Sequence, residues 1–77
     1  MKIVLLWGEK ISHETLAESF SFPPYYGKNL DALHDCLTEI ARDTAVIVQN
    51  ADRADPRFLA VMRDSAGENP HLKIYLG

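Results

Sequence analysis

The sequence has a single cysteine, Cys36, among its 77 residues. An internal disulfide is therefore excluded, and we expect a core held by apolar packing in a reducing compartment. Clusters of basic residues are also missing, because the eight lysines and arginines stand singly against eleven acidic residues, for a net charge of −3. Such a chain lacks the basic stripe that phosphate backbones require, so we expect no direct nucleic-acid binding and a basic protein as the better partner.

Long hydrophobic runs are absent as well. After Met1 and Lys2 only five apolar residues precede Gly8. That run is too short for the apolar region of a signal peptide or for a membrane span. We therefore expect a cytoplasmic protein without membrane association. The length predicts one domain, residues 1–77, with one hydrophobic core.

Three short apolar runs predict β-strands. They are IVLLW at 3–7, AVIVQ at 45–49 and LKIYL at 72–76, all of strand length and rich in β-branched or aromatic residues. The first two runs lack polar alternation, which is typical of parallel sheets covered on both faces. Since the connections are long enough for crossover helices, the predicted fold class is α/β: a three-stranded parallel sheet with about three helices, in the order βααβαβ.

Helix start and stop signals divide the two connections. Ser12, Asn29 and Asp55 are suitable N-cap residues, and Asp55 is followed by proline at the first helical position. Two prolines directly after Phe22 must end the first helix there. The last helix should end near Gly67.

The middle helix carries two contrasting sides. Its apolar stripe, which should face the core, comprises Leu30, Leu33, Cys36, Leu37, Ile40 and Ala41. On another side, Asp31, Asp35 and Glu39 follow at intervals of four, and like charges at this spacing repel by a few tenths of a kcal/mol per pair. Only Lys28 and Arg42 are near enough in sequence to compensate. The acidic side is therefore under-neutralised for an ordinary solvated face.

The segment before the middle helix favours a protein-binding surface. Asp31 alone has a simple explanation, since a carboxylate in the first turn complements the helix dipole, and Asp35 alone could be a solvated surface residue. However, the segment PPYYGKN places Tyr25 and Tyr26 on a proline-stiffened loop that leads into the acidic side. Tyrosines beside carboxylates are typical of protein-protein interfaces.

The stretch YYGKNLDALHDCLTEI, residues 25–40, resembles the signature of the barstar family, intracellular inhibitors of secreted barnase-type bacterial ribonucleases. The resemblance extends to the opening strand that ends in Gly8 and Glu9, and to the last helix and strand in VMRDSAGENPHLKIYLG, residues 61–77. It implies a three-stranded parallel sheet with helices packed on it. It also implies a protein that is not an enzyme, needs no cofactor or metal, and plugs the active site of a basic ribonuclease.

Family membership would also assign individual roles. Asp35 would take the place of the substrate phosphate, and Tyr25 would cover the catalytic histidine of the ribonuclease. The full implied contact set is Tyr25, Gly27, Asn29, Asp31, Ala32, His34, Asp35, Thr38 and Asp64. His34 and Ile40 stand where the family has tryptophans, and a short helix before the last helix is missing. These departures allow a partner other than barnase itself.

Two other functions remain open. Asp31, His34 and Asp35 lie at i, i+3 and i+4, so they could bind one cation in a small metal-dependent enzyme. That signal is weak, because the sequence offers no fourth ligand, phosphate loop or paired nucleophile and base. Alternatively, the chain could be an interaction or immunity module that keeps the barstar fold and binds a different protein, since fold does not determine function.

The other reactive or aromatic side chains have ordinary interpretations. Among leucines of the apolar stripe, Cys36 should be a buried, unreactive thiol. His13 and His71 should be surface or capping residues. Trp7, at the end of the first strand, should be a core or sheet-edge aromatic.

Overall fold

The computed structural model describes residues 1–77 and contains three strands and three helices. In chain order these are β1 (Lys2–Trp7), a 3-10 turn (Gly8–Lys10), α1 (His13–Phe20), α2 (Leu30–Thr38), β2 (Thr44–Gln49), a second 3-10 turn (Ala51–Arg53), α3 (Pro56–Glu68) and β3 (Leu72–Leu76). The strands are parallel in the order β1-β2-β3. This confirms the predicted α/β fold and its βααβαβ order.

All three helices begin at the predicted caps. The side chains of Ser12, Asn29 and Asp55 each accept a hydrogen bond from a backbone N–H in the first turn of their helix. At α1 the cap is reciprocal, because the Thr15 hydroxyl accepts a bond from the Ser12 N–H at 2.9 Å. The longest helix, α3, has 13 residues. No helix combines the length and the apolar character needed to cross a membrane.

One hydrophobic core lies between the sheet and the helices. Its eleven buried residues are Val4, Leu6, Leu16, Phe20, Tyr26, Leu33, Leu37, Val46, Val48, Met62 and Leu72. Every strand and every helix contributes to this cluster, and no buried side-chain nitrogen or oxygen lacks a hydrogen-bond partner. The helical layer is therefore anchored to one face of the sheet by alternate strand residues.

The opposite face of the sheet is bare. Ile3, Leu5 and Trp7 of β1 are 62, 52 and 46% exposed, and Tyr75 of β3 is 53% exposed. The prediction that both faces are covered is therefore wrong. The reason is topological: the strand order advances in one direction, and right-handed crossovers between parallel strands then return over the same face of the sheet each time.

Helix α2 is shorter than the helix that the apolar stripe predicted. Leu33 and Leu37 are fully buried, but the helix ends at Thr38, with Glu39 as its C-cap. Ala41 lies beyond the helix end and is exposed, so its assignment to the apolar stripe is wrong. The chain leaves the helix there in order to enter β2.

The end of β1 packs tightly against the end of β2. A Cβ atom added to Gly8 would lie 2.0 Å from the backbone oxygen of Asn50. Asn50 itself adopts a left-handed conformation, with φ of 54°. Only glycine allows this approach of the two backbones.

Candidate functional site

The acidic side of α2 is solvent-exposed and unpaired. Asp31, Asp35 and Glu39 are all exposed. The ion pairs of the structure join His34 to Glu68, Arg57 to Asp55 and His71 to Asp43. None of the acidic α2 residues belongs to them, and neither Lys28 nor Arg42 neutralises this side. The three carboxylates are therefore available to an external cation.

The two tyrosines before α2 have opposite environments. Tyr25 is 86% exposed, whereas Tyr26 is 8% exposed and belongs to the core. The prediction that both tyrosines frame the acidic side is therefore wrong for Tyr26. Its hydroxyl lies 2.7 Å from Nδ1 of His13, and its ring packs against Phe22 with a centroid distance of 4.9 Å. Burial is also the main cause that raises the pKa of the Tyr26 phenol.

His13 connects three parts of the helical layer. Besides its bond to Tyr26, its ring meets the edge of Phe58 at a centroid distance of 4.8 Å. It therefore joins α1, the loop before α2 and α3. The prediction of an ordinary surface or capping histidine is wrong here, because the topology gathers these elements on one face of the sheet. Buried Tyr26 and its histidine partner hold the loop while Tyr25 stays in solvent.

The start of α2 is determined by its own polar residues. Oδ1 of Asn29 accepts a hydrogen bond from the Ala32 N–H at 2.8 Å, while its Nδ2 lies 3.4 Å from the Gly27 oxygen. Lys28 adopts φ of 52°, a conformation that costs an L-residue about 1 kcal/mol or more. The Asn29 cap therefore fixes the start of α2, and the amide keeps one N–H that is not bonded to Gly27 and can reach another molecule.

His34 and Thr38 are partly engaged inside the protein. Nε2 of His34 lies 2.6 Å from a carboxylate oxygen of Glu68 on α3. The Thr38 hydroxyl donates to the His34 carbonyl at 2.9 Å. Both side chains are half-buried, and the bond to Glu68 places His34 on the flank of α2 that faces α3. Ala32 is also half-buried, but it lies on the other flank of the helix, towards Gly27 in the preceding loop.

The structure places the predicted contact set on one contiguous stretch and one neighbouring helix. Six members are exposed: Tyr25, Gly27, Asn29, Asp31, Asp35 and Asp64. All except Asp64 belong to α2 or to the loop before it. Asp64 lies on α3, the helix that packs most extensively against α2 and that also carries Glu68.

Asn69 supports the end of α2, a role that was not predicted from the sequence. It is 3% exposed, and its Nδ2 donates to the carbonyls of Leu37 and Ile40, both at 2.9 Å. Its Oδ1 accepts a bond from the His71 N–H at 2.9 Å. The carbonyls at the end of a helix need such external donors. Nothing local in the sequence showed which distant carbonyls Asn69 would satisfy.

The candidate metal ligands do not converge. No group of three or more His, Cys, Asp or Glu residues is arranged to hold a metal ion. His34, the central member of the set, is directed to Glu68, while Asp31 and Asp35 remain exposed. The alternative of a metal-dependent enzyme therefore lacks its ligand set.

Cys36 lies beside the acidic side of α2. It is half-buried rather than buried, so this part of the prediction is wrong. Burial, followed by the charges of Glu39 and Asp35, raises the pKa of its thiol. A raised pKa lowers the thiolate fraction at neutral pH, which reduces its reactivity as a nucleophile.

Two sequence comparisons relate the chain to known proteins. The profile of a family described as "Barstar (barnase inhibitor)" matches residues 8–72, most of the chain. A relative from Bacillus subtilis (strain 168), named "Putative ribonuclease inhibitor YrdF", is 55% identical over 29 residues. That alignment covers 38% of this chain and 32% of the relative.

Proposed function

The chain belongs to the barstar family, and we propose that it inhibits a barnase-type ribonuclease by filling the enzyme's active site with α2 and its preceding loop. The observation that carries this proposal is the pair of exposed, unpaired carboxylates of Asp31 and Asp35 on α2, together with the exposed ring of Tyr25 on the loop before it. The name of the B. subtilis relative supports the same function.

Asp35 is the proposed substitute for the substrate phosphate. A ribonuclease must hold a phosphodiester with cationic side chains, and arginine in particular binds carboxylates and phosphates with the same bidentate geometry. Asp35 sits in the second turn of α2, where the helix dipole gives it little compensation. A cationic cleft would supply the missing counter-charges, and a carboxylate offers the enzyme no bond to cleave.

The scaffold reduces the entropy that binding must overcome. Asn29 caps the start of α2, and Asn69 binds carbonyls at its end. Tyr26, bonded to His13, fixes the preceding loop. A surface that is rigid before contact loses less conformational freedom on association, so more of the electrostatic attraction appears as affinity.

The other members of the contact set complete the proposed interface. Tyr25 would cover the catalytic histidine of the ribonuclease with its exposed ring. Asp31 and the remaining N–H of the Asn29 amide would add polar contacts near the helix start. The remaining proposed contacts are Gly27, Ala32, His34, Thr38 and Asp64.

Net charge favours the same class of partner. The chain carries −3 at pH 7, and its acidic α2 side is free of neutralising lysines or arginines. Complementary potentials speed the encounter with a basic protein, and this effect weakens as salt increases. We therefore propose a basic ribonuclease rather than a nucleic acid as the binding partner.

A second candidate is an immunity module of the same fold for a different protein. His34 replaces a family tryptophan and is already bound to Glu68 at 2.6 Å. Ile40 replaces another tryptophan and lies beyond the end of α2, half-buried. The surface beside the acidic side is therefore less aromatic than the family pattern, which favours a cognate enzyme with a correspondingly different rim.

Three broader features belong to the same proposal. The single core cluster supports one barstar-like domain over residues 1–77. The one cysteine, free in the structure, supports a cytoplasmic location. The role proposed for Asp35 is binding in the partner's cleft, so the protein itself carries out no catalysis.

The test is a titration of the protein into barnase and related small ribonucleases, in which the rate of RNA cleavage is measured. We expect stoichiometric inhibition of at least one enzyme. Asp35→Ala should weaken the complex by about 2 to 5 kcal/mol, mainly through faster dissociation. The complex of barnase with barstar is itself the system in which such charge-pair couplings were measured, so this range of energies is borrowed from it.

Glu18→Ala is the matched control, since it removes an exposed negative charge from α1. It should change the affinity by less than about 1 kcal/mol. Equal losses for the two variants would contradict a specific role for Asp35. Inhibition of no enzyme in the panel would instead favour the second candidate.

A further inference from the structure

The imidazole of His34 faces a carboxylate at the border between α2 and α3. Its Nε2 lies 2.6 Å from Oε2 of Glu68, and the two side chains are 36% and 62% exposed. His34 belongs to the proposed contact set and directly precedes Asp35, the proposed substitute for phosphate. We propose that the protonation state of His34 couples ribonuclease binding to pH, with the complex tighter when His34 is neutral. This inference rests on the proposed function and specifies how its site responds to pH.

The charged neighbours of His34 on its own helix are acidic. Asp35 is adjacent in sequence, and Asp31 lies one turn earlier. Both carboxylates are exposed and belong to no ion pair. Cys36 and Glu39 lie about 140 to 160° around the helix from His34 and so point to other sides. Since α2 contains no lysine or arginine, nothing on this helix offsets the two aspartates.

Helix α3 also presents acidic groups to His34. Asp64 lies one turn before Glu68 and about 40° around the helix from it, so both are on the side that meets α2. Arg63 lies about 140° from Glu68, on the other flank. Arg57 shares the side of Glu68, but it lies three turns earlier and is held in an ion pair of its own. His34 is therefore the group that can add a positive charge to this acidic border.

Protonation of His34 changes the charge of its pair with Glu68 by one. An imidazole ordinarily titrates between about pH 5 and 8, a range in which glutamate stays ionised. The pair therefore carries one negative charge when His34 is neutral and none when His34 is protonated. A basic protein is attracted more strongly to the first form, because the protonated form places a positive charge beside its own cations.

Linkage between the two binding events gives the direction of the pH effect. A partner that prefers neutral His34 weakens proton binding to His34, and by reciprocity a bound proton weakens the affinity for the partner to the same extent. The complex should therefore lose affinity as the pH falls from about 7.5 to 5.5. Its formation near the middle of that range should release protons.

A second pair of imidazole and carboxylate provides an internal control. Nδ1 of His71 lies 2.9 Å from Oδ1 of Asp43, and the two side chains are 47% and 68% exposed. This pair joins the segments that enter β2 and β3. Neither residue belongs to the proposed contact set, so the same chemistry is present outside the surface that is proposed to bind.

The experiment measures the dissociation constant of barnase, or of another ribonuclease that the protein inhibits, at constant ionic strength and about pH 5.5, 6.5 and 7.5. The wild type is compared with His34→Gln and His71→Gln, because glutamine keeps an N–H donor for the carboxylate but does not titrate. From the highest to the lowest pH, the dissociation constant should rise at least about threefold more for the wild type than for His34→Gln. His71→Gln should follow the wild type within about 1.5-fold.

The use of one enzyme throughout makes the comparison specific to His34, since the enzyme's own titration is common to all three forms. Proton NMR of the imidazole Hε1 signals provides a second measurement that needs no variant. The titration midpoint of His34 should move to lower pH when the ribonuclease is bound, whereas that of His71 should not move. Thermal unfolding at each pH checks that the variants are folded.

The possible outcomes separate this inference from the proposed function. Equal pH dependence for the wild type and His34→Gln overturns the coupling and leaves the inhibitor function intact. A His34 midpoint that is unchanged or raised in the complex has the same meaning. Inhibition of no enzyme at any pH overturns both.

Discussion

The protein has two exposed surfaces on opposite sides of one small core, and they differ in almost every physical property. The acidic side of α2 carries unpaired carboxylates on a helix whose two ends are held by side-chain hydrogen bonds. The uncovered side of the sheet, here called the sheet face, carries mainly apolar side chains that are wholly or partly exposed: Ile3, Leu5, Trp7, Ala45, Ile47 and Tyr75, with Lys73 beside them. The first surface is suited to electrostatic recognition of a basic protein, whereas the second offers little charge for such recognition.

The difference follows from topology. Both crossovers return over the same face of the sheet, so all helices lie together there. Glu68 and Asn69 contact α2 from the α3 side, and His13 of α1 bonds Tyr26 in the loop before α2. The sheet face receives no such support, and its shape depends only on strand pairing. Substitutions in the helical layer should therefore affect ribonuclease binding more than substitutions on the sheet face.

The largest structural effect is expected for Asn69→Leu. The change removes the donor to the Leu37 and Ile40 carbonyls and the acceptor of the His71 N–H. It leaves the Ile40 carbonyl and the His71 N–H without these partners, so the free energy of unfolding should fall by about 2 to 3 kcal/mol. Urea unfolding measures this loss. Ribonuclease binding should weaken because the end of α2 is released. A loss of stability below about 0.5 kcal/mol would show that Asn69 does not support α2.

Tyr26→Phe should have a smaller effect. It removes the hydroxyl that lies 2.7 Å from His13, so stability should fall by about 1 kcal/mol, and the loop before α2 should bind its partner less tightly. Tyr25→Phe removes the same hydroxyl from an exposed neighbour and should leave thermal stability unchanged. Equal stabilities for the two variants would contradict the assignment of Tyr26 as the residue that holds the loop.

Lys28 provides a test of backbone strain at the start of the acidic side. With φ of 52°, the position should favour glycine over alanine by about 1 kcal/mol. Lys28→Gly and Lys28→Ala both remove the charge, so their difference in urea midpoint reports the conformation alone. If the alanine variant were as stable as the glycine variant, the left-handed conformation at this position would be refuted.

The smallest effect concerns acid stability, which involves neither surface. The hydrogen bond from the Arg57 side chain holds the pKa of Asp55 below its ordinary value of 3.8, and the bond to His71 does the same for Asp43. Between the lowered and ordinary values the unfolded chain binds more protons, so stability rises with pH in this window. It is lost as the pH falls through the folded-state pKa values.

Asp55→Asn tests this assignment, because asparagine keeps a capping oxygen but does not titrate. Urea midpoints between about pH 2 and 5 should change less steeply for the variant than for the wild type. Identical slopes would show that Asp55 contributes nothing to the loss of stability at low pH.

Local chemistry explains which features were predictable from the sequence. The caps Ser12, Asn29 and Asp55 act on their own first turns, so residue type and position were sufficient. The acidic spacing of Asp31 and Asp35 likewise placed both on one exposed side of α2. The apolar runs predicted the three strands correctly, but the strand order β1-β2-β3 became known only from the structure.

The errors share a different cause, since they depend on contacts between distant segments. Tyr26 is buried because it packs against His13 and Phe22, and Asn69 bonds the Leu37 and Ile40 carbonyls because α2 ends beside it. The bare sheet face was missed because a run such as IVLLW reads the same whether one or both sides are covered. Only the strand order, together with crossover handedness, reveals that Leu5 faces solvent.

The most direct test of the account is the dissociation constant of one inhibited ribonuclease for three forms of the protein: wild type, Asp35→Ala and Leu5→Lys. The account predicts a loss of about 2 to 5 kcal/mol for Asp35→Ala and a change below about 0.5 kcal/mol for Leu5→Lys. A ribonuclease that tolerates Asp35→Ala but is released by Leu5→Lys would contradict it, because the enzyme would then bind the sheet face rather than the acidic side of α2.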